Sequence, residues 1–286
     1  MGPRARSDLD QVAEQARSSR GETARRSAAN ASDVRRDDSE LVDAVLEAYR
    51  RGWFPMADLD QPAEPIGWYE PERRGLIPLR LEHEPPPDGN LFDGPARPIL
   101  EVGRAFHVPA RLRTRLRTCP FILTTDRSFE RVMVECADPG RDGGWIDGRI
   151  IGLFTRLHHL GYAHSVEVWL PPEDRRSPLG FDLARAGAID PGAEPPEGSL
   201  LVGGLYGLRV DGCFAGESMF SRPVLGGTDA SKLALCATVA HLRATGFGLF
   251  DCQMWSEHHD RFGCVEVTGE RFRSMLAAVA DRSPRW

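Results

Sequence analysis

The sequence predicts a mixed α/β fold, a sheet flanked by helices, and three observations carry that prediction. Two segments with helical apolar spacing stand next to each other between residues 126 and 161. An Asp-Gly pair at 211–212 divides two apolar runs as a β-hairpin turn does. A further helical segment and a further strand-like run then follow, and no internal repeat is present.

The elements are justified in order along the 286 residues, a length that holds one large domain or a large and a small one. Residues 1–38 combine Arg, Asp, Ser, Gly and Ala with almost no large apolar side chain, so they read as a disordered tail that cannot offset its ordering entropy. Structure is expected from Leu41, where Leu41, Val45 and Tyr49 share a helical face and Gly52 can end the helix. WFPMAD and IGWYEPERRGLIPL suit short strands and turns in a small α+β unit, and the proline-rich EHEPPPDG reads as a connector. ARLRTRLR then reads as a short basic helix and PFILTTD as a strand. Asp126 is placed to cap a helix that carries Phe129, Val132, Met133 and Cys136 inward. Ile150, Leu153, Phe154 and Leu157 define the next helix, which ends near Gly161. HSVEVWL alternates like a half-buried strand, and 171–198 reads as a long loop. The hairpin around Asp211-Gly212 follows, then a helix from about Ala230 to Thr245 with Leu235, Val239 and Leu242 inward. GLFDCQMW is a strand and RFRSMLAAVA a closing helix.

Composition narrows the function classes. No apolar run approaches the ~20 residues that span a bilayer, and MGPRARSDLDQVAEQ lacks the apolar core of a secretory signal, so no membrane association and a cytoplasmic location are expected. The six cysteines contain no C-x-x-C pair and read as reduced thiols. Net charge is −6, which opposes bulk attraction to nucleic acid but leaves local patches open. All but one of the 36 basic residues are arginine, the exception being Lys232.

RATGFG (243–248) fits the R-x-x-G-x-G pyrophosphate loop of acetyl-CoA-dependent N-acetyltransferases. That loop needs a strand before it and a helix after it. Here the order is reversed, and Gly246 reads as a helix C-cap. His158-His159 and His258-His259 lack metal-ligand spacing, so no metal is expected, and His164 reads as a buried, hydrogen-bonded residue. G-E-S-M lacks the second glycine of a hydrolase nucleophile elbow. Two polar clusters on predicted strands remain: Glu217-Ser218 in FAGESMFSR, and Asp251-Cys252-Gln253 in LFDCQMW. Period-two alternation puts Asp251 and Gln253 on one strand face. A carboxylate and an amide so placed either hold and orient reacting groups or form a hydrogen-bonded core network. Arg104, Arg111, Arg113, Arg115 and Arg117 form the densest basic cluster, which is either a phosphate-binding stripe or a solvated face.

The runs RRGWFP, WYEPERRGLIPL, PFILTTDRSFERVMVECA, GWIDG, LHHLGYAHSVEVW, LVGGLYGLRVDGCFAGESMFSR, DASKLAL and DCQ, with FHVPARLRTRLR and EHHDRFGCVEV, closely resemble the leucyl/phenylalanyl-tRNA–protein transferase family. The resemblance runs from about residue 41 to the end of the sequence, in the family's order. It implies an α+β chain: a small N-terminal domain at 39–75, then an acetyltransferase-like catalytic domain at 76–286 with 171–198 as an inserted loop. It implies transfer of Leu or Phe, with Met less readily used, from aminoacyl-tRNA to the N-terminal Arg or Lys of acceptor proteins, which creates an N-degron. No cofactor is implied, acyl-CoA not being the donor, and a monomer is expected. By the resemblance Gln253, Asp251 and Glu217 sit at the reaction, while Leu205, Phe214, Met219 and Leu235 line the donor side-chain pocket. Trp145 would stack on the terminal adenosine, and the arginine stripe would meet the acceptor stem. The chain departs from the family pattern at Met56, where an aromatic often contacts the adenosine, and at Thr238 and Phe250 behind the pocket, which bears on the Leu–Phe balance. The tail and the 171–198 loop are longer than is usual in the family. A tRNA-dependent ligase acting on peptidoglycan precursors and a non-catalytic tRNA-binding module are the alternatives.

Overall fold

The structure, a computed structural model, describes residues 31–84, 99–138, 140 and 144–286. The chain divides into two compact units, Met1–Leu41 and Val42–Trp286. The described part of the first is the opening of helix α1 (Ala31–Arg50). The expected tail lies outside the described residues as far as residue 30, and the proline-rich connector does so from residue 85. Helix α1 begins at Ala31, ahead of the expected Leu41, because adding a residue to an existing helix costs far less than nucleating one.

Within the second unit, Val42, Val45, Leu46 and Tyr49 bury the inward face of α1, and Gly52, at φ +89°, turns the chain out of it. Strands β1 (Phe54–Met56) and β2 (Gly67–Tyr69) pair antiparallel, with Phe54 opposite Tyr69. β3 (Arg73–Leu76) then enters a larger sheet. Helix α2 (Ala110–Thr118) precedes β4 (Ile122–Thr125), followed by helices α3 (Phe129–Cys136) and α4 (Gly148–His159). β5 (Ala163–Leu170), β6 (Leu200–Val210) and β7 (Cys213–Ser221) come next, then helix α5 (Ala230–Thr245) and β8 (Leu249–Asp251). A single turn, α6 (Glu257–Asp260), leads to β9 (Val265–Thr268) and helix α7 (Gly269–Ala278).

The sheet runs β4-β5-β6-β7-β8-β3-β9, and only β7–β8 is parallel among its described pairs. It is therefore a seven-stranded mixed sheet flanked by helices, the fold class the sequence predicts. The Asp211-Gly212 turn joins β6 to β7 with Asp211 at φ +52°. Gly246 caps α5 at φ +91°, and Arg243 is engaged with Glu84 and the Leu79 carbonyl, so RATGFG is a helix end.

Three local expectations are corrected. Asp126 does not cap α3; Ser128 occupies that position, and Asp126 sits at φ +58° accepting from Ser165 N (2.8 Å) and pairing with His164 Nδ1 (2.8 Å). β5 is buried along both faces instead of one, because α4 covers one side and α5 the other. Its buried Glu167 survives there through hydrogen bonds: Ser165 Oγ of the same strand and Thr124 Oγ1 of β4 both donate to it. The third concerns β8, which stops at Asp251, so the alternation argument does not reach Gln253. β9 was absent from the sequence reading. Its alternation of half-buried Val265 and Val267 with exposed Glu266 and Thr268 spans only four residues, and among the described residues it pairs with β3.

Candidate active site

Register places Glu217. Tyr206 of β6 pairs with Ser218 of β7, and Gly207 pairs with Gly216, which leaves Glu217 as the extra residue of a β-bulge. A bulge bends its strand and re-aims one side chain, so a carboxylate can leave the regular alternation of an otherwise apolar strand. Glu217 Oε1 accepts from Tyr49 Oη at 2.7 Å and from Gln253 Nε2 at 3.0 Å. Burial pushes its carboxyl up to about 8, and nearby Asp251 adds to the rise. Burial and the adjacent Glu217 likewise hold the Tyr49 phenol well above its usual range.

Gln253 reaches this point through a turn. It has left-handed backbone at φ +56°, and its N–H donates to Asp251 Oδ1 at 2.9 Å. Asp251 is thus an Asx-type anchor for the amide that follows it. Its carboxylate is also gripped by Arg74, whose Nε and Nη2 donate at 2.8 and 2.5 Å. Both side chains are 1% exposed. Arg74 Nη1 donates to the Gly52 carbonyl at 2.7 Å, and the guanidinium lies 5.1 Å from the Phe54 ring centroid and 4.5 Å from that of Phe272. The turn lies flat on β3 because residue 75 is glycine: a Cβ there would approach Met254 C and Trp255 N to 2.8 Å. Gly75 N and O bond Gln253 O and Cys252 N at 2.9 and 3.0 Å.

A cavity of about 520 Å³ opens beside these groups. Ile77, Leu205, Met219, Leu235 and Phe250 make its apolar part. Glu217, Ser218, Arg222, Ser231, Ser256 and His258 contribute polar atoms, and Trp145 lies on the lining as well. Among the residues singled out from the sequence, Glu217, Trp145, Leu205, Met219 and Leu235 therefore meet at one place, with Gln253 and Asp251 adjoining through hydrogen bonds. Phe214 is fully buried behind Phe250, 5.7 Å between ring centroids, and is not on the lining. Thr238 is also off the lining; its hydroxyl donates to the Ala234 carbonyl inside α5. Met56 lies on β1 opposite Gly67, outside the lining. Tyr49 and Arg74 were missed by sequence reasoning. Tyr49 carried a usable signal, since a phenol on a buried helix face needs a polar partner; Arg74 carried none beyond its position in ERRGL.

The arginine cluster divides. Arg104 pairs with Asp260 (2.7 Å), Arg117 with Asp182 (3.3 Å), and the half-buried Arg115 turns over the Phe121 ring. Arg111 and Arg113 are exposed on α2 and have no ion-pair partner among the described residues.

Comparison with known proteins gives a consistent family. A family model described as leucyl/phenylalanyl-tRNA protein transferase matches residues 99–175 and 189–277, and one described as the N-terminal domain of that transferase matches 41–72. The leucyl/phenylalanyl-tRNA–protein transferase of Salinibacter ruber is 37% identical over 249 residues, covering 87% of this chain and 84% of its own. Those of Phenylobacterium zucineum and Paramagnetospirillum magneticum are each 38% identical over 243 residues, with 83% and 84% of this chain covered and 85% and 90% of theirs.

Proposed function

This chain belongs to the leucyl/phenylalanyl-tRNA–protein transferase family, and from that premise we propose that it moves Leu or Phe, and Met less readily, from aminoacyl-tRNA to the N-terminal Arg or Lys of acceptor proteins. The product carries a destabilising N-terminal residue and is marked for proteolysis. One observation carries this reading: a neutralisable carboxyl and an amide, Glu217 and Gln253, are bonded to each other where an apolar pocket begins. Among the described residues no helix is long and apolar enough to cross a membrane; the proposed setting is the cytoplasm, with the enzyme acting as a monomer.

The donor is already activated as an ester, so the protein's contribution is positioning. The donor side chain enters among Leu205, Met219, Leu235 and Phe250, where flexible Met219 and flat Phe250 accommodate Leu and Phe while β-branched side chains fit poorly. Trp145 holds the terminal adenosine by stacking. The neutral α-amine of the acceptor attacks the ester carbonyl carbon; a C–N bond forms, the bond to the ribose oxygen breaks, and the amine's proton ends on that oxygen. Gln253 orients the reacting groups through its amide, Asp251 fixes Gln253, and Arg74 fixes Asp251. With its carboxyl raised to about 8, Glu217 is mainly protonated at neutral pH and serves there as a hydrogen-bonding wall in place of a base.

The test is incubation of the purified protein with charged leucyl-tRNA and a peptide beginning with Arg. The peptide should gain one leucyl residue by mass. No gain sinks the proposal, and transfer to a lipid-linked muropeptide would replace it with peptidoglycan chemistry.

A further inference from the structure

The matched family model skips residues 176–188, within the long 171–198 loop. That skipped segment is tied onto helix α2. Leu179 N donates to the Cys119 carbonyl at 2.8 Å and Gly180 N to that of Arg117 at 3.0 Å, satisfying carbonyls of the helix's last turn and C-cap. Leu179, Phe181 and Leu183 pack against the main core, and Asp182 organises the turn by accepting from Ala184 N and Arg185 N.

Between this segment and α2 lies a second cavity of about 400 Å³. Its floor is apolar, formed by Leu81, Phe106, Val108 and Leu116, and half-buried Phe181 and Leu183 add a wall. The rim is basic: Arg113, Arg117, Arg185 and His83. The two acidic residues on the lining are engaged, Glu82 with His107 (2.7 Å) and Asp182 with Arg117 (3.3 Å). Arg113 and Arg185 are exposed and have no ion-pair partner among the described residues. A flat, apolar-faced group with phosphates beside it matches this combination of aromatic wall and uncompensated arginines.

We propose that the cavity between segment 176–188 and α2 binds an unstacked nucleotide of the donor tRNA, its base against Phe181 and its flanking phosphates at Arg113 and Arg185. This rests on the transferase reading above. The segment thereby converts a basic helix face, which fixes phosphates without reading shape, into a site that also holds a base. It lies beyond the residues that the family model covers, so tRNA affinity at this point is an addition carried by this chain.

The test measures equilibrium binding of leucyl-tRNA at several salt concentrations, separately from transfer to peptide. Arg113→Ala with Arg185→Ala should weaken binding and reduce the log–log salt slope by about one to two, as loss of one or two phosphate contacts requires. Phe181→Ala should weaken binding roughly tenfold with the slope unchanged, the behaviour of a lost stacking contact. A photoreactive group on Ala184→Cys should cross-link to tRNA, which covers the case of a Phe181 variant that folds poorly. Unchanged binding by the Phe181 variant together with no cross-link overturns the nucleotide site; an unchanged slope in the arginine pair does the same for the phosphate contacts. A wild-type protein that transfers leucine while all these variants bind normally overturns this site alone. A wild-type protein that binds no tRNA overturns this proposal and the transferase reading together.

Discussion

Glu217 keeps its proton because ionising it would place a charge on a half-buried, poorly solvated bulge residue already facing Asp251. The sign of the consequence follows from linkage. An acid whose folded-state value lies at about 8, against 4.5 unfolded, stabilises the fold fully at pH below the lower value and loses that contribution as pH rises to the upper one. Stability should therefore decline from pH 5 to pH 8, with this group supplying up to ~1.4 kcal/mol per pH unit. Glu217→Gln preserves the size and removes the titration, so its Tm should lose that decline; parallel melting curves for the two proteins read it directly, and equal slopes would assign the proton elsewhere. Chemistry gives a second prediction at the same residue pair. Gln253→Ala and Glu217→Ala should each lower kcat/KM for peptide acylation by roughly a hundredfold, the scale of one lost orienting hydrogen bond. Affinity for tRNA should stay constant, and wild-type turnover by both variants would remove them from the site. Trp145→Ala should instead raise the donor concentration needed for half-maximal rate and leave kcat unchanged in steady-state kinetics.

At the scale of elements, the site is held by a strand pairing that no local pattern announces. Arg74 on β3 reaches Asp251 at the end of β8, and its guanidinium rests between Phe54 of β1 and Phe272 of α7. Removing one member of a buried ion pair leaves the other charged and unpaired, so Arg74→Ala should cost about 3–5 kcal/mol in denaturant unfolding. It should also displace Gln253, and a variant with lost stability but full activity would separate the two roles. The same elements show what the sequence could convey. Phe129, Val132, Met133 and Cys136 all turn inward on α3 as their spacing implies, because one helix face decides their fate. Asp126 could not be read in this way, since its choice between capping α3 and bonding His164 depends on a strand 38 residues on. Asp251 and Gln253 were rightly paired but for the wrong reason: an Asx turn, and not strand alternation, brings them together. The bulge that re-aims Glu217 arises from register between β6 and β7, which apolar content alone leaves open.

Across the whole molecule, Trp286 connects parts that the sheet holds apart. Its Nε1 donates to Thr125 Oγ1 of β4 at 2.6 Å, its ring stacks on His164 of β5 at 4.7 Å and on Phe214 of β7 at 4.8 Å, and it meets His241 of α5 at 4.5 Å. Burial drives the His241 imidazole down to about 4, so at neutral pH that ring is uncharged and suits an aromatic neighbour. Phe214 then supports Phe250, which lines the cavity proposed for the donor side chain. Trp286→Ala should thus act twice. It should destabilise the fold by on the order of 3 kcal/mol, the lower end for a large aromatic truncation because the ring is only partly buried. It should also loosen the floor under Phe250 and narrow the preference between leucyl- and phenylalanyl-tRNA. Trp286→Phe keeps an aromatic stack while losing the bond to Thr125, so it should recover the donor preference more fully than the stability. Unfolding curves beside donor competition assays distinguish these effects. If the Phe variant recovers stability but not preference, the path from Trp286 to the donor pocket does not run through Phe214.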